Sequence, residues 1–425
     1  MIKWKKVLSF SILALATITL GACGGSKSAN NGADETDFKD KTLKLGVWGG
    51  NESEEKTLKA IISDFEKETG AKVELKTYTD YNTQIQTDLI GKTAPDAFYV
   101  DSSYFPFLAS KKALAPLDEK TFSADSYYKN LTNAFTEDGK LYGIPKDFST
   151  LALYKNTKIF EDVDVDPASV PTSYEELVDW LPTFQEKLDA KYGVGKVKAM
   201  SYTDELSRSY HLAARDGAKP IKDDGMPDLE NKKVVDNLSI LKKLIDTKAV
   251  ATPQELGAGW NGEAFGTGKI AMMDEGNWVY QTLKDEFSDI PFTVSPMLTY
   301  KGTEGGMMFT VGWGKYAGTK NSALADEWIK YATGKDAMTK WVDGTGTLPT
   351  REDVATTAEV SKNDDLKIHL DAVDYSTVWQ KGTSLATINT AYQNYWAEVA
   401  SGKASLEEAM KKADQQAEED IKKAE

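Results

Sequence analysis

From Thr42 onward the chain alternates apolar and polar residues. "TLKLGVW" (Thr42 to Trp48) sets Leu43, Leu45 and Val47 on one side, which predicts a strand. "NESEEKTLKAIISDFEKETG" then spaces Leu58, Ile61, Ile62 and Phe65 at helical intervals. Acidic residues crowd its first turn, and Gly70 stands where a C-terminal cap belongs. "KVELKTY" alternates again, and a second helix at about Tyr81 to Ile90 leads into "PDAFYVDSS". That apolar strand is bounded by Pro95-Asp96 and by Asp101-Ser102-Ser103. Strands and helices in turn predict an α/β unit with a largely parallel sheet. Ligands of such sheets lie beyond the carboxyl ends of the strands. Trp48 to Glu52 and Asp101 to Phe105 fall at such ends, so Trp48, Asn51, Glu52, Asp101 and Tyr104 are candidate contacts. Helical spacing dominates afterwards, at Tyr174 to Lys191, Tyr202 to Arg215, Lys232 to Thr247 and Ala323 to Thr333, with an amphipathic tail from Ser405. The final "EEAMKKADQQAEEDIKKAE" is charged on most faces and predicts a solvated helix.

The N-terminus changes the picture of where this unit works. Lys3, Lys5 and Lys6 precede an apolar run from Val7 to Leu20, too short to span a bilayer core of about 30 Å comfortably. The run ends in Leu20-Gly21-Ala22-Cys23, which resembles the lipobox of bacterial lipoproteins. That resemblance implies a signal peptide over 1–22, cleavage before Cys23 and a diacylglycerol on its sulfur. Residues 23–40 read as a flexible tether rich in Gly, Ser, Asn and Asp. The remainder is too long for one ordinary domain and suits two lobes. The formal charge is −15, and loss of the three leader lysines takes it to about −18. Such a surface disfavours nucleic acid and favours solubility outside the cell.

Candidate chemistry is thin. Cys23 is the single cysteine of 425 residues, which excludes a disulfide framework and thiol catalysis in the body. "FGTGKIAMMDEGNWV" (Phe265 to Val279) invites a nucleotide reading, but Glu263 stands where a phosphate loop needs its first glycine, and Ile270 replaces the hydroxyl. His211 and His369 are the only histidines, and neither sits in a metalloprotease or serine-hydrolase motif. Tyr127-Tyr128 resembles the paired tyrosines of ferric-ion receptors without a matching His or carboxylate set. A glycosidase remains the competing class, but with 66 acidic residues a suitably spaced carboxylate pair carries no information. No cofactor or metal is expected.

Several landmarks fall in one order: the lipobox, "VWGG", "APDAFYVDSS", "DGKLYGIPKDFSTLALYKN", "SYEELVDWL", "FGTGKIAMMDEGNW", "GW" at Gly312-Trp313 and "LPTR" at Leu348 to Arg351. The set resembles the maltose-binding-protein-like solute receptors, the carbohydrate-binding lipoproteins of ABC importers, from about residue 41 to 410. The resemblance implies a two-lobed α/β fold, each lobe a mostly parallel sheet flanked by helices, closing on a sugar between them. It implies lobe one over 41–150 plus 316–347 and lobe two over 151–315 plus 348–425, with crossings at "STLALYKN" and "MMFTVGWGKYAG". It further implies an oligosaccharide ligand, permease subunits as partners, a monomer, and residence on the outer face of the membrane. Ligand contacts are implied at Lys146, Asp147 and Phe148, just before the chain crosses lobes, and a turn is implied that presents Trp278 to the cleft.

A saccharide offers flat C–H faces and rings of hydroxyls, so its binder needs aromatic planes and forked polar groups. Ten tryptophans exceed the needs of one core. Trp180, Trp328, Trp341 and Trp396 lie within helical patterns and read as core. Trp48, Trp260, Trp278, Trp313 and Trp379 lie at turns or element ends and are the aromatic candidates; Gly312 and Gly314 beside Trp313 allow close backbone approach.

Overall fold

The computed structural model describes residues 37–118 and 120–424. The signal peptide, Cys23 and the tether through residue 36 lie outside the described residues. The first helix, Glu52–Thr69, forms where the pattern places it. The Asn51 side chain accepts from the Glu54 N–H at 2.9 Å as N-cap, and three glutamates sit in the first turn. Gly70 closes the helix with φ 70°, the left-handed conformation glycine adopts without penalty. Leu58, Ile61, Ile62 and Phe65 are buried.

The strands are β1 (Thr42–Trp48), β2 (Lys72–Tyr78), β3 (Ala97–Asp101), β4 (Thr136–Glu137), β5 (Lys140–Leu141) and β6 (Gly143–Asn156). They continue as β7 (Lys198–Ser201), β8 (Val250–Ala251), β9 (Ile270–Gly276), β10 (Phe292–Ser295), β11 (Gly306–Lys315) and β12 (Ser376–Val378). One sheet runs in the order β2-β1-β3-β11-β6-β9-β7-β8. Its two outer portions are parallel: β2-β1-β3 at one end and β9-β7-β8 at the other. Two long antiparallel strands, β11 and β6, join them.

The register shows how the joint works. The first half of β6, Gly143 to Thr150, pairs with β11, and the second half, Leu151 to Lys155, pairs with β9. β3 runs antiparallel to β11 and β9 antiparallel to β6, so the two parallel sets point their carboxyl ends toward each other. Asp101, the end of β3, lies opposite Val311, which pairs with Asp147. Gly276, the end of β9, lies opposite Leu151. Both ends therefore align with one five-residue stretch of β6, Asp147 to Leu151, β9 directly and β3 through Val311 of β11.

Two cores flank this joint. One includes Leu43, Leu45, Phe65, Phe98 and Trp328, and extends to Phe265, Met273 and residues 348–373; the other gathers Leu153, Phe184, Leu238, Tyr392 and Trp396. The C-terminal helix, Leu406–Ala424, corrects an expectation. It is not solvated all round: Ala409, Met410, Ala413, Ala417 and Ile421 are buried in the second core. Asp414 on the same helix accepts from the backbone N–H groups of Leu229 and Glu230 at 2.8 and 2.9 Å. Three of these five are alanines, small enough to lie among charged neighbours on a narrow stripe that faces the second core.

Candidate binding cleft between two strand-end platforms

At the end of β1, Trp48 is half-buried and meets Tyr81 and Tyr99 edge-on, at centroid distances of 5.1 and 4.9 Å. Below it sits a buried charged group. Lys146 and Asp147 form an ion pair, and the Trp341 indole N–H donates to Asp147 at 2.7 Å. The Lys146 ammonium lies 4.2 Å from the Trp341 ring centroid and 4.7 Å from that of Tyr99. Burial raises the Glu54 carboxyl above its ordinary range, with Lys146 opposing the rise and Asp147 adding to it. Beside this group a small cavity of about 50 Å³ is lined by Trp48, Gly50, Glu54, Tyr99 and Trp341, among others.

A second aromatic cluster is built on β9 and on the helix Leu206–Ala213. Trp278 opens the helix Trp278–Glu286 directly after β9, and its ring folds over Gly276; a Cβ there would lie 2.2 Å from it. Phe309 of β11 meets Trp278 edge-on at 5.6 Å. The Arg208 guanidinium lies 5.1 Å from the Trp278 centroid and 5.8 Å from that of Phe309. Its Nη1 donates to Glu275 at 2.6 Å, and Glu275 is 1% exposed. Beside them burial pushes the Asp274 carboxyl up to about 7, Arg208 opposing and Glu275 reinforcing the shift. Trp278 packs against both cores, as expected of a residue at the joint.

The remaining candidates divide. Asn51 is occupied as a helix cap and Glu52 is exposed at the first helical position. Asp101 accepts from the Ser103 N–H at 2.8 Å and from the Ser103 hydroxyl, closing a turn. Tyr104 is half-buried, stacks on Phe107 at 5.1 Å and accepts from the Gln86 amide. Trp260 is 37% exposed, its ring lying over Gly262. Trp379 is buried beside Tyr210, and its carbonyl accepts from the Ser102 hydroxyl at 3.3 Å.

Burial sets five candidates apart: Trp313, Phe148, Trp379, Lys146 and Asp147 are all buried. Trp313 is wedged in the core between Tyr99 and Trp328, at 4.5 and 5.3 Å, because its strand β11 is covered on both faces. Its flanking glycines do serve close approach: a Cβ at Gly312 would lie 2.9 Å from the Ile144 carbonyl. Phe148 is likewise core, 1% exposed and 6.0 Å from Tyr128. Conversely, Tyr81, Tyr99, Arg208, Asp274, Glu275 and Phe309 were not singled out by sequence reasoning. The one available signal was the "DEGNW" that carries Asp274 and Glu275 next to Trp278. Among the described residues no group of three or more His, Cys, Asp and Glu side chains could hold a metal ion, and no described helix is long and apolar enough to cross a membrane.

Two parallel strand sets joined by two crossing strands make a fold that has counterparts among known proteins. Residues 60–368 match the family model described as bacterial extracellular solute-binding protein. The chain belongs to that family. This solute-binding protein is 25% identical to the maltodextrin-binding protein of Bacillus subtilis over 97% of each chain. It is 22% identical to the multiple sugar-binding protein of Streptococcus mutans, over 81% of this chain and 82% of its relative. An ABC substrate-binding protein from Listeria monocytogenes in complex with cycloalternan superposes with a TM-score of 0.79 at 22% identity. The match covers 90% of this chain and 99% of that one. The solute-binding protein thus has the two-lobed α/β fold of these receptors, and its family and relatives are binding proteins.

Proposed function

We propose that this chain is the substrate-binding component of an ABC importer, held on the outer face of the membrane by a lipid on Cys23, and that it captures an oligosaccharide. The observation that carries the ligand class is the pair of aromatic clusters at the converging strand ends, Trp48 with Tyr81 and Tyr99 and Trp278 with Phe309, each beside charged side chains. Aromatic planes suit the C–H faces of sugar rings, and carboxylates with Arg and Lys suit their hydroxyls. The names of the relatives, a maltodextrin-binding and a multiple sugar-binding protein, support the same class.

In this reading the lobes comprise 41–150 plus 316–347 and 151–315 plus 348–425, and they close by bending of β6 and β11 where pairing changes partner near Thr150 and Leu151. The protein works as a monomer, catalyses no reaction and hands its sugar to the permease subunits. A thermal-shift screen against di- to pentasaccharides tests the ligand class. A true ligand at 100 times its dissociation constant adds about 2.7 kcal/mol of stability. Saturable binding with the saccharide recovered intact is the expected result. Release of shorter products would instead make the protein a glycosidase.

A further inference from the structure

Arg208 is the one residue of the helix Leu206–Ala213 that is not fully buried, and it is a cation. It is clamped from two sides: buried Glu275 takes one guanidinium N–H at 2.6 Å, and the rings of Trp278 and Phe309 lie 5.1 and 5.8 Å from its central carbon. Glu205 approaches its Nε at 4.0 Å. Each member comes from a different element, namely the helix Leu206–Ala213, β9, the helix Trp278–Glu286 and β11. Trp278 has no hydrogen bond from its indole N–H among those described, so ring contacts alone orient it. Those contacts are Gly276 beneath, Phe309 at the edge and the Arg208 guanidinium carbon 5.1 Å from the ring centre.

We propose that Arg208 is a positioning residue for ligand capture: anchored by Glu275, its planar guanidinium fixes the rings of Trp278 and Phe309 as one rigid platform and thereby sets the affinity for the saccharide. The inference rests on the saccharide reading above and deepens it. A guanidinium fits this role because it can stack flat on a ring while donating in its plane to a carboxylate, which an ammonium cannot do. Pre-ordering the platform before the ligand arrives removes side-chain ordering from the cost of binding.

Removing Arg208 alone leaves Glu275 buried and unpaired, which can unfold the protein. The decisive variant is therefore the neutral pair Arg208→Met with Glu275→Gln, with Arg208→Lys beside it. Two readouts are taken on the full chain. The first is the indole N–H signal of Trp278 in the ligand-free protein, assigned by its loss in Trp278→Phe. The second is calorimetric affinity for the tightest binder in a panel from maltose to maltopentaose, with raffinose included.

The neutral pair should melt close to wild type, shift and broaden the Trp278 signal, and bind about tenfold or more weakly. Arg208→Lys, which keeps the charge but not the plane, should recover stability without recovering affinity. Adding Trp278→Ala to the neutral pair should cost far less affinity than in wild type, because both act through one platform. Unchanged affinity and an unmoved indole signal in the folded pair would overturn the proposal. So would strict additivity with Trp278→Ala, or an affinity loss that merely follows the melting temperature. If no sugar of the panel binds wild type yet the indole signal responds to Arg208, the saccharide reading fails and the positioning of Trp278 stands.

Discussion

The hydroxyl of Tyr154 lies 2.8 Å from Nε2 of His369, and the other ring nitrogen, Nδ1, lies 2.7 Å from the carbonyl oxygen of Thr150. A carbonyl only accepts, so Nδ1 carries the proton and Nε2 accepts from the tyrosine. Thr150 returns a hydrogen bond from its hydroxyl to the His369 carbonyl at 2.7 Å. The neutral imidazole thus ties the helix Asp364–Asp371 to β6 at the residue where that strand leaves β11 for β9. Burial lowers the His369 pKa from 6.5 to about 4. The unfolded chain therefore takes up a proton below pH 6.5 that the folded chain refuses until about 4. Stability is full above 6.5 and falls through this window, by on the order of 3 kcal/mol. His369→Ala should destabilise by about 2–4 kcal/mol at pH 7, since it orphans the buried Tyr154 hydroxyl and Thr150 carbonyl. Urea melts at pH 7 and pH 4.5 check both; the variant should lose part of the acid slope.

Asp274 slopes the other way. Its carboxyl is raised from 3.8 to about 7, chiefly by burial. The unfolded chain ionises it above 3.8 while the folded chain holds the proton until about 7, so its contribution is present at low pH and is lost as pH rises through this interval. Asp274→Asn should raise the melting temperature at pH 8, by the equivalent of roughly 2–4 kcal/mol at most, and change little at pH 3.5. Scanning calorimetry at the two pH values decides it. Equal effects at both would mean that folding leaves the carboxyl's pKa unshifted.

Trp278→Ala should weaken saccharide binding by 2 kcal/mol or more, roughly 30-fold, as truncation of a central aromatic contact does. The ligand-free melting temperature should change modestly, because the side chain is only half-buried. Titration calorimetry beside a melting curve separates the outcomes. A collapse in stability with affinity intact in the folded fraction would make the ring structural and leave Trp48 as the better sugar contact.

Cys23→Ser should release the protein into the medium or stall its processing, because a hydroxyl cannot form the thioether. Fractionation of cells expressing the variant measures this. Unchanged membrane retention would point to an anchor other than a lipid on Cys23.

What the sequence determined by itself is local. The helix Glu52–Thr69 was legible to within its caps because Asn51, the acidic first turn and Gly70 act within a few residues of one another. The helix Tyr81–Ile90 and strands β1 to β3 followed from periodicity alone. The ordered landmarks gave the two-lobed fold. The candidate site was legible where it coincides with strand ends, at Trp48 and Trp278, and through the family resemblance at Lys146 and Asp147. Tertiary structure decided the rest, because burial depends on what covers a face. Trp313 looked available between two glycines, yet β3 and β6 pair with its strand on either side and Trp328 packs against its ring. Arg208 was only one residue of a helical stretch in the sequence; its partner Glu275 lies 67 residues away, and only folding brings a buried carboxylate to it. A charge acquires its role from the field around it, and that field is assembled by segments that no local pattern connects.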